Sequence, residues 1–164
     1  MASSSSSLPE RKVLLVGNGG SGKTTFITAA ISGQFVRKYI PTVSVTVSSL
    51  TTESHVLNFW DTAGQEKFGF LREGYYIGAD VVMIFISQDS PYNNVQSWYK
   101  EVRRVCPHVP VMLVRSKSDL KGLITEPLTG NHCPYGLNFA AEGQISVKSG
   151  TGLTEILEKL CHIL

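Results

Sequence analysis

The sequence predicts an α/β domain built on a mostly parallel sheet with helices on both faces. Three observations carry that reading. Short runs rich in β-branched and apolar residues recur at Val13–Val16, Val81–Ile86 and Val109–Val114, the pattern of strands buried on both sides. Segments of helical spacing alternate with them, which is the order that builds a parallel sheet from crossover units. The 164 residues are 42% hydrophobic and only 17% charged, so one domain can bury roughly two-thirds of its unfolded surface without disulfides.

Taken in chain order, Val13–Val16 is the first buried strand, between charged residues and a glycine loop. Lys23–Ser32 follows with helical spacing and Gly33 as its stop. Val43–Val47 alternates valine with small polar residues and predicts a strand with one exposed face. A polar turn at Thr51–Ser54 separates it from a further strand at Val56–Trp60. Between the buried strands Val81–Ile86 and Val109–Val114, Tyr92–Val105 sets Val95, Trp98, Val102 and Val105 on one helical face. Lys121–Gly143 is broken by glycine and proline, and predicts loops with one helical fragment near Leu137–Ala141. Leu153–Leu164 closes the chain as an amphipathic helix with Leu153, Ile156, Leu157, Leu160 and Ile163 on its apolar side.

Composition excludes several classes. The longest apolar runs fall far short of the ~20 residues that span a bilayer as a helix. The formal net charge is +2 with no basic block, so no nucleic-acid partner is expected. Cys106, Cys133 and Cys161 are odd in number and lack any C-x-x-C spacing, which argues against a disulfide framework and a zinc site and fits a reducing compartment. The serine run of Met1–Ser7 has neither the basic nor the apolar region of a secretory signal. Residues 1–9 are expected to be a disordered tail and 10–164 the folded domain, monomeric in solution.

The strongest chemical signal is Gly17-Asn18-Gly19-Gly20-Ser21-Gly22-Lys23-Thr24, which matches G-x-x-x-x-G-K-[ST] at every fixed position. It follows a buried strand and opens a helix, where its mechanism needs it. Glycines let successive backbone N–H groups turn inward around a phosphate chain, and the helix N-terminus adds partial positive charge. In such a loop Lys23 reaches the β- and γ-phosphates and the Thr24 hydroxyl ligates Mg²⁺. A second signal is Asp61-Thr62-Ala63-Gly64-Gln65 at the end of the strand Val56–Trp60. An acidic residue there holds the same metal, directly or through water.

With that loop, the Asp61–Gln65 segment resembles the small GTPases of the Ras superfamily, over about Lys12 to Leu164. The stretch Trp60–Tyr76, the triplet Arg37-Lys38-Tyr39 and Tyr92–Val105 followed by Cys106 look most like the Ran branch. The resemblance implies a three-layer P-loop fold with a six-stranded, mostly parallel sheet. It implies GTP, GDP and Mg²⁺ as ligands, and the nucleotide-binding set Gly19, Gly20, Ser21, Gly22, Lys23, Thr24, Thr25 and Gly64 at the phosphate end. Gln65 would orient the attacking water, with Lys23 and Thr42 beside it in catalysis. Thr24, Thr42 and Asp61 would be the metal-binding residues. Tyr39 fits either packing near the nucleotide or a plain surface position.

The guanine end departs from the family pattern. Where the family has N-K-x-D, this chain has Ser116-Lys117-Ser118-Asp119. Asp119 keeps the carboxylate that accepts from guanine N1–H and the 2-amino group, which adenine cannot satisfy. The stem of Lys117 would cover the base, and Ser146-Val147-Lys148 resembles the family's S-A-K. Ser116 is shorter than the Asn that ties this loop to the phosphate loop, so looser nucleotide binding is expected. Ser44 stands where family members often have glycine. No arginine is placed to act in cis, so intrinsic hydrolysis should be slow.

The resemblance further implies a switch working with an exchange factor, an activating protein and transport-receptor effectors, in nucleus and cytoplasm. A Rab-like trafficking GTPase and a weakly binding scaffold are the alternatives. Cys161-His162-Ile163-Leu164 reads as a prenylation motif, but Cys161 lies inside the amphipathic pattern with no polybasic stretch before it. Membrane attachment is expected only if that cysteine is prenylated.

Overall fold

A computed structural model describes residues 7–35, 44–62, 69–90, 93–121 and 136–164. It contains β1 (Glu10–Val16), α1 (Lys23–Ser32), β2 (Thr46–Thr51), β3 (Val56–Asp61), α2 (Gly69–Tyr76), β4 (Val81–Ser87), α3 (Asn93–Val105), β5 (Val111–Ser116), β6 (Ala141–Gln144) and α4 (Leu153–Ile163). The strands form one six-stranded sheet in the order β2-β3-β1-β4-β5-β6. Only the β2–β3 pair is antiparallel. The α/β fold expected from the sequence is the one observed.

Alternation along β1 divides the interior between the two faces of the sheet. Val13 and Leu15 face a cluster with Phe26 and Ile27 of α1 and Ile156 and Leu160 of α4. Leu14 and Val16 face the opposite cluster, with Tyr76 of α2 and Val95, Trp98 and Val102 of α3. Helices therefore cover both faces, which is why every residue of β4 is buried and why its sequence shows no polar alternation. Phe26 anchors the first face, its ring edge-on to Phe59 at 5.9 Å between centroids. Among the described residues no helix is long and apolar enough to cross a membrane.

Several boundaries differ from the sequence expectation. The strand expected at Val43–Val47 runs instead over Thr46–Thr51, because its register is set by β3, with Thr46 opposite Asp61 and Thr51 opposite Val56. The expected turn shifts accordingly, and Thr52 N–H donates to the His55 carbonyl at 2.8 Å. β5 starts at Val111 rather than Val109, since Pro110 has no N–H for the ladder and contributes only its carbonyl, to Val82 N–H at 3.0 Å. α3 starts at Asn93, and Tyr92 lies outside the described residues.

The helical fragment expected near Leu137–Ala141 is absent. That stretch carries no helix and leads into β6, with Leu137 and Phe139 turned toward the second cluster between exposed neighbours. The Tyr99 and Phe139 rings meet edge-on at 5.2 Å, and Ala140 N–H donates to the Val111 carbonyl at 2.8 Å. α2 was not expected, as Gly69, Gly74 and the tyrosines give it little intrinsic helicity.

Candidate functional site

The parallel strands deliver their C-terminal ends to one edge of the sheet. β1 sits where the chain order reverses, between β3 and β4, the position at which open α/β sheets form a ligand crevice. The glycine loop leaves β1 at this point. Gly17 adopts φ 144°, and a Cβ there would lie 2.3 Å from the Phe85 carbonyl oxygen, so only glycine lets the loop cross β4 this closely. Gly22, at φ 91°, is the N-cap of α1, and no side chain caps that helix end. The positive end of α1 therefore faces the loop uncovered.

Lys23 is 5% exposed and lies back along the loop. Its Nζ donates to the Gly17 carbonyl at 2.8 Å, the Asn18 carbonyl at 3.0 Å and Ser21 Oγ at 3.3 Å. Burial pulls its pKa down to about 8, opposed by the nearby Asp61 carboxylate. Asp61 is carried beside the loop by the β1–β3 register, which pairs it with Leu15. Its Oδ2 accepts from Thr24 Oγ1 at 2.5 Å, and its buried Oδ1 has no partner among the described residues. Desolvation raises the Asp61 pKa against the opposing Thr24 bond and Lys23 charge. A hydroxyl and a carboxylate with an orphaned buried oxygen, beside an ammonium ion, are a donor set that fits Mg²⁺ with a phosphate.

Thr62 was not singled out from the sequence, yet its Oγ1 donates to the Leu15 carbonyl at 2.7 Å and fixes the chain just after Asp61. A threonine following the strand-end aspartate was the only available signal. Gly19, Gly20 and Ser21 lie in the loop, and Thr25 lies half-buried in the first turn of α1. Thr42, Gly64 and Gln65, with Tyr39, fall outside the described residues.

The second half of the site gathers at the ends of β5 and β6. Ser116, 3% exposed, donates from Oγ to the Ser21 carbonyl at 2.6 Å. The shorter side chain thus bonds the two loops directly. Gly22 lies close by: a Cβ there would lie 3.3 Å from both Ser116 Cβ and Oγ. Lys117 takes the left-handed conformation at φ 56°, uncommon for a lysine. Asp119 is exposed, and its Oδ1 accepts from the buried Ser146 Oγ at 2.7 Å. That bond foremost, with Lys148 and Lys117 nearby, holds its carboxyl below the ordinary range. Ser118 N–H donates to the Ile145 carbonyl at 3.0 Å, and Ser146 and Thr151 form an antiparallel bridge. Val147 packs partly into the first cluster, and Lys148 is exposed.

A glycine loop opening a helix at the switch point of a parallel sheet, with a strand-end carboxylate beside it, defines a P-loop nucleotide-binding domain of the small-GTPase fold. The sequence model of the Ras family matches residues 12–162, and the chain belongs to that family. It is a small GTP-binding switch, of a family that binds GTP and GDP with Mg²⁺ and works with exchange factors, activating proteins and effectors.

Proposed function

We propose that this chain is a Ran-like switch that serves nucleocytoplasmic transport, hydrolysing GTP slowly until an activating protein accelerates it. The stretch Trp60–Tyr76, with Arg37-Lys38-Tyr39 and the α3 sequence, is the observation that favours the Ran branch. Lys23 would carry the charge of the β- and γ-phosphates, with the N–H groups of Gly19, Gly20, Ser21, Gly22, Lys23, Thr24 and Thr25 around the phosphate chain. Thr24, Asp61 and, in the GTP state, Thr42 would hold Mg²⁺, which supplies charge neutralisation at the phosphates. Gly64 would donate to the terminal phosphate and Gln65 would orient the attacking water. Asp119 would read guanine, with Lys117, Ser146, Val147 and Lys148 framing the base. The orphaned Oδ1 of Asp61, set against Thr24 and Lys23, best supports the phosphate–metal assignment.

A Ran-like role predicts nuclear and cytoplasmic localisation and no lipid anchor. Cys161 is partly buried against the first cluster, its Sγ 3.9 Å from Thr52 Oγ1, which fits a packing role. The test is binding of the purified protein to nuclear transport receptors when loaded with GTPγS or GDP. Binding in the GTPγS state alone supports the reading, and equal or absent binding in both states overturns it. Ser44, a departure from the family pattern, favours a second reading as a scaffold that cycles poorly. Single-turnover hydrolysis separates the two. A rate on the order of 10⁻⁴ s⁻¹, rising with an activating protein, fits the switch. No turnover of bound GTP, with or without that protein, fits the scaffold.

A further inference from the structure

We propose that Trp98 is a positioning residue for the phosphate loop, holding it from α3 through the side chain of Asn18. The inference rests on the guanine-nucleotide reading of the same site.

Trp98 is 5% exposed and packs with Val95 and Val102 against the sheet. Its indole Nε1–H donates to Asn18 Oδ1 at 2.7 Å, across eighty positions of sequence. Asn18 is the second residue of the loop, a place the motif leaves free, so the motif does not foretell the contact. The same residue's backbone carbonyl accepts from Ser21 N–H at 3.2 Å and Lys23 Nζ at 3.0 Å. Asn18 therefore joins three donors: the loop's own turn, the buried ammonium and the indole of a distant helix.

A small pocket remains between loop and helix, bordered by Asn18, Ser21, Ile86, Ser87, Asn94 and Trp98. Across such a gap, a directed bond fixes separation and orientation where apolar contact does not. The loop is thus held from two sides, by Ser116 at the Ser21 carbonyl and by Trp98 at the Asn18 side chain. Releasing the Trp98 hold frees Asn18, whose carbonyl helps orient Lys23. Small displacements of that kind are costly where several backbone N–H groups must converge on one phosphate chain.

The test is a double-mutant cycle on GDP dissociation with Mg²⁺, using W98F, N18A and the double variant. Each single change removes one half of the bond, and phenylalanine keeps much of the apolar contact. Each should raise the GDP off-rate about five- to tenfold, the range for one hydrogen bond. The double variant should release GDP no faster than the worse single one. The indole N–H resonance that disappears in W98F should shift in N18A, a change that general destabilisation would not produce. N18A lies in the loop, so it carries the test if W98F does not fold. Wild-type off-rates in the single variants, or additive effects in the double variant, overturn the inference. A wild-type protein that binds no GDP overturns the reading on which it stands.

Discussion

Lys23 is the residue on which burial and function conflict most directly. Its ammonium is removed from water and repaid only partly, by two carbonyls, a hydroxyl and the Asp61 carboxylate. Its pKa falls from 10.5 to about 8, so the folded protein without ligand releases this proton before the unfolded chain does. Between those two values the unfolded state binds more protons, and stability rises with pH. Nucleotide-free wild type should therefore gain about 3 kcal/mol relative to Lys23→Met as pH climbs from 8 toward 10.5. Urea denaturation of both proteins across that range checks it, and parallel curves would contradict it. A bound phosphate would supply the missing partner, so the slope should vanish in the nucleotide-loaded protein.

Ser116 is a residue-scale case in which side-chain length misleads. Judged by length, serine should fail where the family has asparagine, yet its hydroxyl reaches the Ser21 carbonyl at 2.6 Å. The two loops approach closely here, and a Cβ at position 22 would lie 3.3 Å from Ser116 Cβ and Oγ. Ser116→Ala removes the bond and leaves the buried carbonyl short of a donor. GDP should then dissociate roughly tenfold faster, as stopped-flow release of a fluorescent GDP would show. An unchanged rate would mean that the bond does not contribute to holding the nucleotide.

At the scale of elements, α4 is seated on β6 by the absence of a side chain. A Cβ on Gly143 would lie 2.3 Å from Ile156 Cδ1, in a helix whose Ile156 and Leu160 are fully buried. Gly143→Ala should cost about 1–3 kcal/mol by overpacking, and Ile156→Val should recover part of that loss in the double variant. Thermal unfolding of the three proteins measures both.

The long, strongly patterned elements were legible in the sequence. α1 falls where its spacing and Gly33 place it, and the buried runs became β1, β4 and β5 with shifted ends. β6 and α2 were not legible, for different physical reasons. Ala-Glu-Gly-Gln has little β-propensity, and its strand exists because β5 offers a free edge and α4 covers it. α2 contains two glycines and is held by tertiary contact, with Tyr76 buried in the second cluster. The loop, Lys23 and Asp61 were singled out from motif and spacing, and the fold brings Lys23, Thr24 and Asp61 together. The Thr62 and Trp98 contacts were not legible, because partners so far apart in sequence are joined only by the fold.

For the whole molecule, the mostly parallel sheet brings the ends of β1, β3 and β5 and the turn after β6 to one edge, and each supplies part of the candidate site. The proposed phosphate and guanine halves are covalently far apart and are joined through Ser116 and Ser21. Ligand binding should therefore stabilise the domain as a unit. At a hundredfold excess over its dissociation constant, GDP with Mg²⁺ should add about 2.7 kcal/mol and raise Tm, and chelating the metal should reverse much of that gain.

The central claim is that this edge binds a guanine nucleotide through Asp119 and through the Lys23, Thr24 and Asp61 cluster. It is tested most directly by denaturing the freshly purified protein and identifying the released nucleotide by anion-exchange chromatography. Near-stoichiometric GDP or GTP, lost in Asp119→Ala, is the predicted result. Adenine nucleotide in its place, or an empty protein that GTPγS with Mg²⁺ fails to stabilise, would contradict it.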